Sequence, residues 1–389
     1  MRQLMRTCEI CSGHRLRQLH RQTFLFPGTN RTGHYDVVTC EDCGFTYASD
    51  IPSRAEQEAY YEASGRHLHA AHVPAGLAEA HRAFYDFIVA NHPNLATDSA
   101  ILDIGSSMGH FLNLFKSAGY RSILGLEPSS MASTLARDTY GIEVIPATLE
   151  DFHPGRQFDL ITLCGVLEHL TSLHDLVSGI GRLLPDRGYL FIAVPDAASF
   201  GEREPREPFL EFALEHINFF TDQSLDNLLR PHGFERVASL SQWNDFYANR
   251  YLLALYNHGP IERPAPVRDE SGTDSVARYI DMSNARLATI AGKVDALADT
   301  GTPIVIWGAG SLASRLCATT RLPECNILAF VDVNPQLHGQ TLLGRPIHPP
   351  EWLDGRREAT VFIASYVYGA EIRQALADKF HWGDAIVTI

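Results

Sequence analysis

Residues 100–112, Ala-Ile-Leu-Asp-Ile-Gly-Ser-Ser-Met-Gly-His-Phe-Leu, run from a short apolar strand through a glycine-bearing turn into the start of a helix. That order leaves few folds open. A strand that hands over to a helix needs a crossover back to a parallel neighbour, and parallel sheets are covered by helices on both faces. The rhythm continues downstream. Strands are expected at Ala100–Ile104, Ser122–Glu127, Glu143–Ile145, Leu160–Cys164 and Tyr189–Val194, with helical patterns between them. The fold class is therefore α/β, with a Rossmann-like core.

The same grammar appears a second time. Ile304–Ala313 is again strand, glycine turn and helix, and Ala329–Pro335 holds a strand ending in Asp332. Alone, this is a dinucleotide-binding pattern. The alternative is a Rossmann-like domain whose turn serves packing only. Between the two units, residues 258–273 are rich in Pro, Gly and charge and read as a linker. Val276, Ile280, Leu287, Ile290, Val294 and Leu297 then predict an amphipathic helix over 274–299. A further helix is expected over 54–92, with Tyr60, Tyr61, Phe84, Phe87 and Ile88 as packing positions.

The first 50 residues hold Cys8-x-x-Cys11 and Cys40-x-x-Cys43. Two such knuckles place four thiolates around a tetrahedral Zn²⁺, and four thiolates leave no open coordination position, so the metal is structural. Gly13 and Gly44 follow the pairs, where a knuckle turn favours positive φ. The chain has seven Cys, an odd number, and its start has no apolar signal segment, so metal is favoured over disulfides. No run of about 18 apolar residues is present, which argues against a membrane span. Net charge is −14, from 32 basic and 46 acidic residues, which makes nucleic acid a poor partner. A cytoplasmic protein acting on a small molecule is expected.

Gly105 and Gly109 let backbone approach a ligand closely, and Asp103 at the strand end can order the loop. Glu127, in Gly125-Leu-Glu-Pro-Ser129, follows the loop by about 20 residues, the distance at which an acid meets ribose hydroxyls. The run ILDIGSSMGHFL, GLEPS, ATLEDF (147–152) and LITLCGVLEHL (160–170) resembles the consecutive motifs of class I S-adenosylmethionine-dependent methyltransferases. That resemblance implies that Asp103, Gly105, Ser106, Ser107 and Gly109 surround the methionine part of the cofactor. By the same resemblance Glu127 binds the ribose, Leu149 and Glu150 flank the adenine, and Cys164, Gly165 and Val166 line the floor. Ser107 stands where the common loop has a second glycine.

The overall layout resembles the sugar C-methyltransferases, which act on nucleotide-linked ketodeoxysugars. It divides into a zinc-binding module (1–53), a methyltransferase domain (54–255), a linker and amphipathic helix (256–300) and a Rossmann-like domain (301–389). The family's tail loop usually carries a lysine after the Gly-Ala-Gly turn, where this chain has Ser311 and Leu312. Two Glu-His pairs are candidates for base chemistry, Glu168-His169 and Glu215-His216. The resemblance implies His216 as the base, with Glu215, His169 and Tyr61 nearby. Asn218 is expected to orient a substrate oxygen or cap the next turn. Trp243, Asn244, Asp245, Tyr247 and Arg250 form a polar-aromatic cluster that is either surface or cleft. Alternative activities are O- or N-methylation of another natural-product intermediate, a non-catalytic cofactor sensor, and nicotinamide binding at Gly308–Ala313.

Overall fold

The computed structural model describes residues 6–25, 32–51, 75–261, 264–356, 358–366, 368–382 and 385–389. Its elements form three sheets. The first is antiparallel: β1 (Leu16–Leu25), β2 (Thr32–Cys40), β3 (Thr46–Ser49) and β9 (Asn218–Phe219), in that order. The second contains β4 (Ala100–Ile104), β5 (Ser122–Leu126), β6 (Val144–Ile145), β7 (Leu160–Cys164), β8 (Tyr189–Pro195), β10 (Phe234–Asn244) and β11 (Asn249–His258). Its order is β10-β11-β8-β7-β4-β5-β6. The third contains β12 (Ile304–Trp307), β13 (Ile327–Val331), β14 (Thr341–Leu342), β15 (Arg345–His348), β16 (Thr360–Ile363) and β17 (Ile386–Thr388), ordered β14-β15-β13-β12-β16-β17.

Five strands of the second sheet, β6-β5-β4-β7-β8, are parallel. Beside them the sheet adds a hairpin that the strand–helix rhythm did not anticipate. β11 runs antiparallel to β8, and β10 antiparallel to β11. The run Tyr251-Leu-Leu-Ala-Leu-Tyr256 is buried throughout, as a strand covered on both faces must be. The helices are α1 (Ala75–Asn91), α2 (His110–Ser117), α3 (Ser130–Tyr140), α4 (Leu173–Leu183), α5 (Asp222–Leu229), α6 (Ser271–Thr300), α7 (Ser311–Thr319) and α8 (Gly369–Asp378). Of the helix expected over 54–92, the described part is α1, with Phe84, Phe87 and Ile88 buried; Tyr60 and Tyr61 lie outside the described residues.

The chain leaves β4 towards β5 and β6, then returns to β7 on the other side. This reversal opens a crevice at the carboxyl ends of β4 and β7, the usual ligand position in such sheets.

The 258–273 stretch is not a free linker. Asp269 is buried: its N–H donates to Cys43 O at 2.8 Å, and Thr221 Oγ1 donates to its carboxylate at 2.5 Å. Val267 N donates to Asn227 Oδ1 at 2.9 Å. A segment can be Pro-rich and charged and still be pinned, provided a few backbone groups find partners.

α6 has 30 residues, so it spans roughly 45 Å. Its first half packs Val276, Tyr279 and Ile280 against Phe200 and Phe212 of the central unit. Its second half packs Ile290, Val294 and Leu297 into the core of the third sheet. Arg315 of α7 fixes the same junction. It is 1% exposed and donates to Pro208 O at 2.6 Å and Phe209 O at 2.9 Å, with Glu207 Oε1 at 3.4 Å. Arg315→Ala leaves two buried carbonyls without their guanidinium donors, at a cost of about 3 kcal/mol. Urea unfolding followed by fluorescence should show a lowered midpoint, with Arg315→Lys intermediate.

Candidate active site

β4 carries Asp103 to the crevice and stops at Ile104. Gly105 then takes φ +73, and its N–H donates to Leu126 O at 2.8 Å. A side chain there would meet Val166 Cγ2 at 2.5 Å, so the loop is pressed against the far strand. Gly109 has φ +76 and leads into α2. Ser107 also lies in the left-handed region, at φ +47, where glycine is the residue free of strain. Glu127, at the end of β5, accepts from Ser107 N at 3.1 Å and from Ser129 N at 3.0 Å. One carboxylate therefore ties the glycine loop to the start of α3 and still has lone pairs facing the crevice.

Asp103 is 2% exposed and accepts from Thr162 Oγ1 at 2.6 Å; burial pushes its carboxyl up to about 7. Ser106 Oγ is buried with no hydrogen-bond partner among the described residues, an unused polar atom beside the glycine loop. Cys164 ends β7, Gly165 and Val166 follow it, and all three line the floor. Burial raises the Cys164 thiol well above its ordinary value, so it stays protonated and does not serve as a nucleophile. Leu149 and Glu150 line one wall. The cleft measures about 2280 Å³, beyond the 300–1,000 Å³ typical of one ligand, and so has room for a cofactor and an acceptor together.

The turn Leu167–His169 crosses the floor and meets the segment before β9. Ile217 N donates to Glu168 O at 2.9 Å. His169 Nδ1 lies 2.9 Å from Glu215 O; a carbonyl only accepts, so Nδ1 carries a proton. The His169 and His216 rings stand edge to face with centroids 4.9 Å apart. Asn218 is buried and holds the Leu167–His169 turn. Its Nδ2 donates to Leu167 O at 3.0 Å and Leu170 O at 2.7 Å, and its Oδ1 accepts from Arg6 at 2.8 Å. The 243–250 cluster also divides. Tyr247 lines the cleft, whereas Trp243, bonded to Asp245, and Arg250, bonded to Glu202, line a separate pocket.

Arg6 belongs to the cysteine module. The Cys8–Cys43 and Cys11–Cys40 sulfurs are each 3.5 Å apart, and all four lie within 4.8 Å of one another. Tetrahedral zinc with bonds of about 2.3 Å puts sulfurs about 3.8 Å apart, so the set fits structural Zn²⁺. Gly44 takes φ +81, but at the first knuckle it is Ser12, at φ +58, that turns left-handed. Gly13 is required for another reason: a side chain would sit 3.1 Å from the Cys11 and Cys40 sulfurs. Arg6 reaches from here to Ile217 O at 3.0 Å and Ala48 O at 3.1 Å, and Glu9 accepts from Leu173 N at the start of α4.

Residues 77–239 match the methyltransferase-domain family. The chain carries a methyltransferase domain. It uses S-adenosylmethionine, and the cleft beside the glycine loop and Glu127 fits that nucleoside. Among characterised proteins the chain is similar to the C-methyltransferase NovU of Streptomyces niveus, 23% identical over 358 residues, spanning 87% of this chain and 81% of that one. Among solved structures it is similar to the N-methyltransferase NodS of Bradyrhizobium japonicum (15% identity, TM-score 0.37, 48% of this chain and 97% of that one). It is also similar to the 1,6-didemethyltoxoflavin-N1-methyltransferase of Burkholderia thailandensis (16% identity, TM-score 0.41, 57% and 98%).

The motifs did not point to His81 of α1, or to Gln336 and Tyr368 of the third-sheet unit, which also line the cleft. Spacing along the sequence carries no signal for them, because they arrive from separate elements.

Two outcomes follow. Gly105→Ala forces a strained φ and a clash with Val166, so calorimetry should show S-adenosylhomocysteine affinity falling at least about tenfold, equivalent to about 1.4 kcal/mol. Burial also raises the Glu211 carboxyl to about 8. The folded chain then keeps a proton that the unfolded chain loses near its ordinary value, so Glu211 makes stability fall as pH rises from about 4.5 to about 8 and level off above. Thermal midpoints of Glu211→Gln should depend less on pH across that window than those of the parent.

Proposed function

We propose that this methyltransferase adds a methyl group to the carbon beside a ketone in a nucleotide-linked deoxysugar, with His216 as the base. The observation that carries the reading is the paired imidazoles of His169 and His216, which line the cleft together with the cofactor floor at Gly165. An O- or N-methyltransferase acting on an already nucleophilic atom has less need of two such groups. The likeness to a C-methyltransferase over most of the chain supports the same reading. So does the far wall, where Gln336 and Tyr368 of the Rossmann-like unit extend the cleft beyond what the cofactor fills.

In this reading Asp103, Gly105, Ser106, Ser107 and Gly109 hold the methionine portion, Glu127 the ribose, and Leu149 and Glu150 the adenine. S-adenosylmethionine supplies an activated methyl group. The protein aligns the acceptor carbon with it and takes the proton whose loss makes that carbon nucleophilic. Neutral imidazole suits this because its ordinary pKa is about 6.5. His169, locked by the Glu215 carbonyl, orients the acceptor.

His216→Ala tests the assignment. With a dTDP-linked 4-ketosugar, turnover read as the mass gain of one methylene should fall at least about 100-fold, while S-adenosylhomocysteine affinity stays within about twofold. Wild-type turnover in that variant would show that the base lies elsewhere.

A further inference from the structure

Glu168 is a group whose burial the fold does not explain. Its side chain is 2% exposed and lines the cleft. Oε1 stands 4.0 Å from His169 Nε2, beyond hydrogen-bond reach, and Oε2 has no partner among the described residues. No Lys or Arg pairs with it among the described residues. A side chain at Gly165 would lie 3.7 Å from Oε1, so the carboxyl stands directly beside the cofactor floor. The ionisable groups around it are His169, His216, Glu211, Cys164, Tyr247 and Tyr251, none of them a permanent cation. Burial, aided by Glu211, raises the carboxyl to about 8. A buried acid without a cation keeps its proton, and a protonated carboxyl aimed into a cleft is a hydrogen-bond donor.

We infer that Glu168 is a further catalytic residue of this site, donating a hydrogen bond from its carboxyl to the acceptor's carbonyl oxygen as that oxygen gains negative charge. The inference rests on the C-methylation reading. The proton beside the carbonyl passes to His216. The C–H electron pair becomes the C=C bond, and the carbonyl pair moves onto oxygen, where the Glu168 O–H holds it without giving up its proton. The carbonyl then re-forms as the carbon takes the methyl group, and sulfur keeps the pair of the broken S–C bond. His216 releases its proton to water. A donor already in place where charge develops needs no reorganisation during the reaction.

The test uses the full zinc-loaded chain with S-adenosylhomocysteine for binding and a dTDP-linked 4-ketosugar for turnover. Infrared difference spectra of wild type against Glu168→Gln should contain a protonated-carboxyl band at pH 7 that fades above about pH 8. Glu168→Ala should lower kcat by about 100- to 1000-fold with little change in KM. Glu168→Gln keeps a donor and should recover most of that loss, without the alkaline decline of the wild-type pH profile. Both variants should bind S-adenosylhomocysteine as the wild type does. An ionised Glu168 at pH 7, or undiminished kcat in Glu168→Ala, overturns this role while ketone methylation stands. Methylation confined to hydroxyl or amino acceptors sinks the C-methylation reading and this role together. Mn²⁺ bound to the wild type and lost in His169→Ala, read by electron paramagnetic resonance, would make Glu168, His169 and His216 a cation site and overturn the assignment.

Discussion

The guanidinium of Arg6 joins the cysteine module to the methyltransferase domain at the point where chemistry is arranged. It donates to Ala48 O in the first sheet, to Ile217 O beside His216, and to Asn218 Oδ1. Asn218 passes the restraint on to both ends of the turn that holds Glu168 and His169. Arg6 lies two residues before Cys8, so four sulfurs drawn to one metal ion also fix the start of this chain of bonds. The guanidinium is buried, and a buried charge-assisted bond lost on one side leaves the other partner unsatisfied. A module of this size cannot be rigid through its core alone, and the metal supplies what the core lacks.

The floor of the cleft is unusual in its electrostatics. Asp103 and Glu168 line it as buried acids, Glu211 lies buried near Glu168, and each is shifted towards its protonated form chiefly by loss of solvent. Cations close at hand would have stabilised the fold more cheaply. Their absence around Glu168, among the described residues, leaves a carboxyl that keeps its proton and can donate, whereas Asp103 accepts from Thr162. That suits a pocket expected to receive an acceptor that turns briefly anionic.

The two Rossmann-like loops share one device. Glu127 bonds the amides of Ser107 and Ser129, and Asp332 bonds those of Ala309 and Asn334 at 2.8 Å each. In the tail unit Gly308 takes φ +110, and a side chain there would meet Ala364 O at 2.8 Å. Close backbone packing thus accounts for Gly308, whereas a side chain at Gly310 would meet nothing within 4 Å.

The sequence by itself determined what local chemistry controls. Apolar runs of strand length, glycines at positive φ, an acid at each strand end and two CxxC knuckles made the α/β units, the cofactor loop and the zinc ligands legible. The heptad-like spacing of α6 also read correctly, because a helix face is a local property. Tertiary structure decided the rest. The β10–β11 hairpin, the pinning of residues 267–269, the link from Arg6 to Asn218 and the isolation of Glu168 from cations depend on partners as far as 212 residues away or more. Burial and the absence of a counter-charge are properties of a surrounding volume, and a linear pattern has no way to record them.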